Sequence, residues 1–154
     1  LVLLAFFSGN DFQNNVFSRQ YGLSKPVFSD LDLTLANSPV PRPGENAPMS
    51  KTGLFAPEIT RAIVDRMARD CSSVGCTLVV MQFGLDYWGR TRSVFRREWL
   101  TANNAYYFNL DEKFAKHGIS QDDWLDLDHF HWNEFGHAQT ATFLRKFLSQ
   151  NGLL

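Results

Sequence analysis

Residues 57–83 read Pro57-Glu-Ile-Thr-Arg-Ala-Ile-Val-Asp-Arg-Met-Ala-Arg-Asp-Cys71, then Ser72-Ser-Val-Gly75, then Cys76-Thr-Leu-Val-Val-Met-Gln-Phe83. In the first part Ile59, Ile63, Met67 and Cys71 recur every four residues, with Val64 and Ala68 beside them. Arg61, Asp65, Arg66 and Arg69 fall on the other side. This is the pattern of a helix with one apolar face. Pro57 suits its first turn, where a missing N–H costs nothing. The Met and Ile stripe is read as core rather than a cofactor contact. Gly75 breaks the pattern, and the run from Cys76 to Phe83 is apolar on both faces of a strand. A helix feeding a buried strand is half of a βαβ unit, so the class is α/β with a parallel sheet.

Working outward, Leu1-Val-Leu-Leu-Ala-Phe-Phe7 is a second continuous apolar run, expected to be a strand buried on both faces. Tyr106-Tyr-Phe-Asn-Leu110 is a third, shorter candidate. The expectation is about three parallel strands flanked by helices in a single domain spanning residues 1–154. An apolar strand at the very first residue, with no Met, reads as the interior of a longer protein. A sheet cut there is expected to carry unpaired edges and to be unstable or to associate.

The 154 residues are 44% hydrophobic and 20% charged, enough for one core, with 14 Phe to fill it or an apolar cleft. A net charge of −1 argues against nucleic acid as a main partner. The arginines and tryptophans of Asp86 to Leu100 are read as a solvated helix face. No apolar run approaches the ~20 residues that span a bilayer. Leu1 to Phe7 is also too short, and too poor in basic flanks, for a signal peptide. Cys71 and Cys76 are read as two buried thiols, which leaves the compartment open. Lys25 to Leu35 reads as an extended or hairpin excursion. Asn37 to Pro48, with four prolines, reads as a loop that could cover a cleft.

Two stretches carry chemistry. Asp126-Leu-Asp-His-Phe-His-Trp-Asn-Glu-Phe-Gly-His137 holds three of the four histidines. A carboxylate near an imidazole orients it and stabilises its charged form. Two Asp-x-x-His pairs overlap, Asp126 with His129 and Asp128 with His131. Asn133 is a good N-cap, and Ala141, Leu144 and Leu148 follow at helical spacing, so His131 lies on the turn before a helix. The pair Asp128 and His131 is therefore read as the acid and base of a hydrolytic site. His129, His131 and His137 also form an H-x-H-x5-H pattern that a metal could use. At the other end, Ser8-Gly9-Asn10-Asp11 closes the first strand. Ligands of open α/β sheets bind at carboxyl ends of strands, where the Asn10 amide could donate to an oxyanion.

Asp128-x-x-His131-x-Asn133-x-x-Gly136-His137 resembles the last conserved block of the SGNH (GDSL-type) hydrolases. Ser8-Gly9-Asn10-Asp11 resembles that family's G-x-N-D block, with Ser8 standing where the pattern has Gly. The likeness covers the chain from the family's third strand to its final helix. It implies a three-layer α/β/α, flavodoxin-like SGNH fold with a parallel sheet, lacking its N-terminal strand or strands. It also implies a serine esterase in which Asp128 and His131 are triad members, Asn10 is an oxyanion donor and Asp11 holds the turn. No Gly-Asp-Ser occurs in the sequence, so the nucleophile is expected upstream. The implied substrates are small-molecule, lipid or carbohydrate esters, with no metal or organic cofactor. A non-catalytic relative that keeps the fold as a binding module, and a metal-dependent hydrolase using His129, His131 and His137, stand as the alternatives.

Overall fold

A computed structural model describes residues 1–42, 55–84, 104–127 and 131–154, together with Phe95 and Leu100. Within them lie a three-stranded parallel sheet, a two-stranded hairpin and five helices, so the protein is mixed α/β. The sheet runs β1 (Val2–Phe7), β4 (Leu78–Phe83), β5 (Ala105–Asn109) in space. Val2 pairs with Leu78 and Phe7 with Phe83; Leu78 pairs with Ala105 and Gln82 with Asn109. Three parallel strands match the expectation drawn from the apolar runs.

The runs do not behave alike. Leu78, Val79 and Val80 in β4 are completely buried, as a strand between two others must be. β1 was expected to be buried on both faces, and it is not. Val2, Leu3 and Ala5 are exposed, and only Phe6 is fully buried. The cause is position: among the described residues β1 has a strand partner on one side only. Val2 and Ser8 donate to the carbonyls of Thr77 and Phe83, so even-numbered residues turn their main chain to β4. The odd-numbered ones turn theirs away, and the Phe7 N–H finds the Asp11 carboxylate instead, at 2.7 Å.

α2 (Ala56–Ser73) buries Ile59, Thr60, Val64 and Ala68, the inner part of the expected stripe, with Met67 and Cys71 at its margin. Arg66 and Asp70 pair at 2.9 Å on its solvent side. The helix ends where Gly75 takes φ +71. The Gly75 and Cys76 amides close back onto Ser72 and Cys71 at 3.1 and 2.8 Å, a Schellman termination. Both cysteines are free thiols, as expected, but they are half-buried rather than buried, because Cys71 lies at the margin of the helix's apolar face and Cys76 in the turn after it.

α2 covers one face of the sheet through Val64, Ala68, Leu78, Val80, Ala105 and Tyr107. Phe95 and Leu100 are buried in the same cluster, so these two members of the stretch expected to be solvated are core. The other face is covered by α3 (Leu110–Lys116), α4 (Gln121–Trp124) and α5 (Glu134–Gln150). There Met81 and Phe108 meet Leu110, Phe114, Trp124 and Phe143. Phe114 and Trp124 stack at 4.6 Å with planes 6° apart.

The α5 core face differs from the expected one: it is Gly136, Thr140, Phe143 and Leu148, with Leu144 half-buried and Ala141 exposed. Phe143 fixes the rotation of this helix, because the larger ring claims the contact with Phe114. Lys25 to Leu35 is the expected hairpin-like excursion: Phe28 and Leu35 form an antiparallel bridge, and the Ser29 and Ala36 amides donate to the Thr34 and Val27 carbonyls at 2.9 Å each. A second hairpin, which the sequence reading did not name, precedes it at β2 (Arg19–Gln20) and β3 (Leu23–Ser24). Tyr21 and Gly22, at φ 52 and 77, supply its tight turn. A short helix, α1 (Asp11–Asn14), is tied to α2 by the Asn15 amide on the Thr60 hydroxyl at 2.8 Å. Part of the proline-rich stretch and most of Asp86 to Leu100 lie outside the described residues. Among those described, no helix is long and apolar enough to cross a membrane.

Candidate active site at the carboxyl end of the sheet

The turn after β1 is held from a distance. Ser8 is buried, its N–H donates to the Phe83 carbonyl at 2.9 Å, and its hydroxyl accepts from the Gln82 amide at 2.9 Å. The Gln82 oxygen accepts from the Tyr107 hydroxyl at 2.7 Å. That hydroxyl accepts from the Asn109 amide at 3.2 Å. One polar chain thus crosses all three strands at their carboxyl ends. It ties the Ser8 hydroxyl to the other two strands. Gly9 lets the Phe7 ring lie close: a Cβ there would be 2.5 Å from the tip of that ring, which would have to move. Asn10 opens α1 at φ −135, ψ −21, and its carbonyl accepts from Asn14 at 2.9 Å. Its side chain makes no capping bond and so is not committed to the helix start. Asp11 folds back on the Phe7 N–H, as a turn-holding carboxylate would; burial pushes its pKa up, against that hydrogen bond.

The turn before α5 is held locally. Asp126 N–H donates to the His131 carbonyl at 2.7 Å, and Leu125 and Trp132 form an antiparallel bridge. Asp126 and His131, which flank Asp128 in the sequence, are therefore joined by one main-chain bond. Asn133 caps α5 through its side-chain oxygen on the Gly136 N–H at 2.8 Å, as its residue type indicated. A Cβ at Gly136 would lie 2.3 Å from the Trp124 carbonyl oxygen, so the helix start presses on backbone. His131 itself is exposed. Asp126, the rival partner, spends one carboxylate oxygen on the Leu127 N–H at 2.9 Å. Asp128 and His129 lie outside the described residues.

A row of rings joins the two turns. Phe7 stacks on Phe83 at 5.5 Å, and Phe83 meets Trp132 edge-on at 4.8 Å. Phe7 precedes the Asn10 turn and Trp132 follows His131. Asn10 and His131 therefore belong to the same end of the sheet, although 121 positions separate them. His137 packs against the Trp132 end of this row. Its ring lies edge-on to Trp132 at 5.3 Å on the first turn of α5. Among the described residues no group of three or more His, Cys, Asp or Glu side chains gathers as metal donors.

Sequence reasoning missed Gln82, Tyr107, Asn109 and Asp111. Gln82 carried a signal, as the one amide in an apolar strand that needs a buried partner. Asp111 opens α3 directly after β5. Its Oδ1 accepts from the Gly84 N–H at 3.3 Å, and burial pushes its pKa up to about 6, with a smaller push from nearby Glu112. Gly84 has φ +82, and a Cβ there would meet the Phe7 ring at 2.3 Å. Comparison of the chain with protein-family models, with curated proteins and with solved structures finds no match.

Proposed function

We propose that this chain carries the acid–base pair and the oxyanion turn of a serine ester hydrolase of the SGNH type, on a three-layer, flavodoxin-like α/β/α sheet. The observation that carries the reading is the meeting of the His131 turn and the Asn10 turn at the carboxyl end of a parallel sheet, through Phe7, Phe83 and Trp132.

In this reading the nucleophile is a serine outside these 154 residues. His131 takes its proton as it attacks the ester carbonyl and returns that proton to the leaving alcohol. Asp128 holds the imidazole in the right tautomer and stabilises its charged form. The Asn10 amide donates to the tetrahedral oxyanion, a contribution of about 3 kcal/mol for one such donor. Water then attacks the acyl-enzyme by the same proton path. The substrate is an ester of a small molecule, lipid or carbohydrate, and no metal takes part.

The test is hydrolysis of 4-nitrophenyl acetate by the full-length protein. His131→Ala is expected to lower kcat at least about a thousandfold, and Asn10→Ala about a hundredfold or more. Full activity in His131→Ala overturns the assignment. So does the absence of a serine that a fluorophosphonate probe labels.

A further inference from the structure

We propose that Asn133 is the positioning residue for His131. The inference rests on the reading of His131 as the base, and its physical part can be tested without it. Asn133 divides its side chain between two tasks. The oxygen accepts the Gly136 N–H at 2.8 Å and starts α5. The amide nitrogen points the other way and donates to two carbonyls, Asp123 at 3.0 Å and Leu125 at 3.1 Å. Its main-chain N–H adds a third bond to that strand, on the Trp124 carbonyl at 3.1 Å. A simple N-cap needs only the oxygen. The two amide donors do something else: they clamp the chain on the far side of the His131 loop, residues 123–125, to the residue two positions after His131.

The consequence follows from where the loop closes. Leu125 and Trp132 are bridged, and Asp126 N–H meets the His131 carbonyl at 2.7 Å. Those two contacts join residues 125–126 to residues 131–132, and the Asn133 amide bonds fall beside them, on the Asp123 and Leu125 carbonyls. Without the clamp the Asp126–His131 bond and the Leu125–Trp132 bridge lose the support next to them. His131 is exposed, so burial does not fix it, and a base misplaced by an ångström loses rate while binding persists. Serine and aspartate cap helices about as well as asparagine, yet neither has an N–H to give. Asparagine is the residue that performs both tasks at once.

The experiment separates them. Asn133→Ser and Asn133→Asp each keep a cap oxygen and lose both amide donors. Amide hydrogen exchange and esterase kinetics are measured on the full-length protein and on both variants, with His131→Ala as reference. The proposal expects Asp126 N–H exchange to accelerate about tenfold or more in both variants while the α5 amides stay protected. It also expects kcat to fall about tenfold or more at nearly unchanged KM. Unchanged Asp126 exchange overturns the clamp. Faster exchange with wild-type kcat overturns its role in positioning. If hydrolysis is indifferent to His131→Ala, the esterase reading fails instead, and the exchange result still decides the clamp.

Discussion

The two turns that Phe7, Phe83 and Trp132 link at the end of the sheet are built in opposite ways. The His131 turn is made from near neighbours: Asp123 to Gly136 supply its hydrogen bonds to one another. The Asn10 turn has local bonds of its own, Phe7 N–H on Asp11 and Asn14 N–H on the Asn10 carbonyl, but its strand end is anchored from far away. Ser8 depends on Gln82, 74 positions away, and Gln82 on Tyr107 in the third strand. A local turn can form as its helix forms. A long-range one exists only when all three strands are aligned. The proposed base is thus carried by a unit with its own closure, and the proposed oxyanion donor by the sheet itself. Damage to the sheet should therefore reach Asn10 first and leave the His131 turn standing.

The largest expected effect breaks the local side. Gly136→Ala puts a methyl group 2.3 Å from the Trp124 carbonyl oxygen, and backbone cannot rotate out of the way. The helix start has to lift off residues 124–125, taking the His131 turn with it. A loss of about 3 kcal/mol is expected in denaturant unfolding, at the upper end for overpacking. The comparison is Ala141→Gly, on the exposed side of the same helix, which should cost about 1 kcal/mol. Equal losses at the two positions would mean that the contact with Trp124 is not what makes Gly136 necessary.

Next comes the long-range side. Gln82→Leu keeps the volume and removes both bonds of the cross-strand chain, so the Ser8 and Tyr107 hydroxyls lose this partner inside the protein. About 2 kcal/mol is expected, the scale of leaving buried polar groups short of a partner. The decisive readout is where the change appears. Amide resonances of residues 8–11 should shift or broaden, while those of 131–136 stay in place. A disturbance shared equally by the two turns would dissolve the distinction between them.

This asymmetry also explains how much could be read from sequence. The class and the three strands were legible because apolar runs bounded by turn residues are local signals. The Asn133 cap was legible for the same reason, since cap and helix lie within a few residues. The rotation of α5 was not, because it depends on Phe143 meeting Phe114 and no spacing rule names that partner. The unpaired edge at β1 was expected, but its exposed faces were not, because the apolar run was read as buried on both of them. Gln82 was visible as an anomaly but its purpose was not, for its partners come from two other strands. For the site, the residue types of Asn10 and His131 were legible, and the aromatic row that links them was not. Phe7, Phe83 and Trp132 look like any other core rings until the register places them together.

The smallest expected effect sharpens the comparison through pH. Asp111 belongs to the long-range side, since it accepts the Gly84 N–H across two strands. Its pKa is raised from 3.8 to about 6, chiefly by burial. Between those values the folded protein holds a proton that the unfolded chain has released. Stability therefore falls as pH rises from about 4 to about 6, and the full cost of the buried charge is present above that window. Asp11 acts in the same direction, while Asp30 and Asp123, held below the usual carboxylate range by hydrogen bonds, act in the opposite one. Two pKa units set a ceiling of about 3 kcal/mol, and partial solvent access at Asp111 brings the expectation to about 1–2 kcal/mol. Asp111→Asn keeps an oxygen for Gly84 and cannot ionise. Relative to the native protein, its stability should gain about 1–2 kcal/mol between roughly pH 4 and pH 7 in parallel urea titrations. If the difference between the two proteins does not change with pH, Asp111 is not the carboxylate that strains the sheet end, and the pH dependence belongs to Asp11 beside the Asn10 turn.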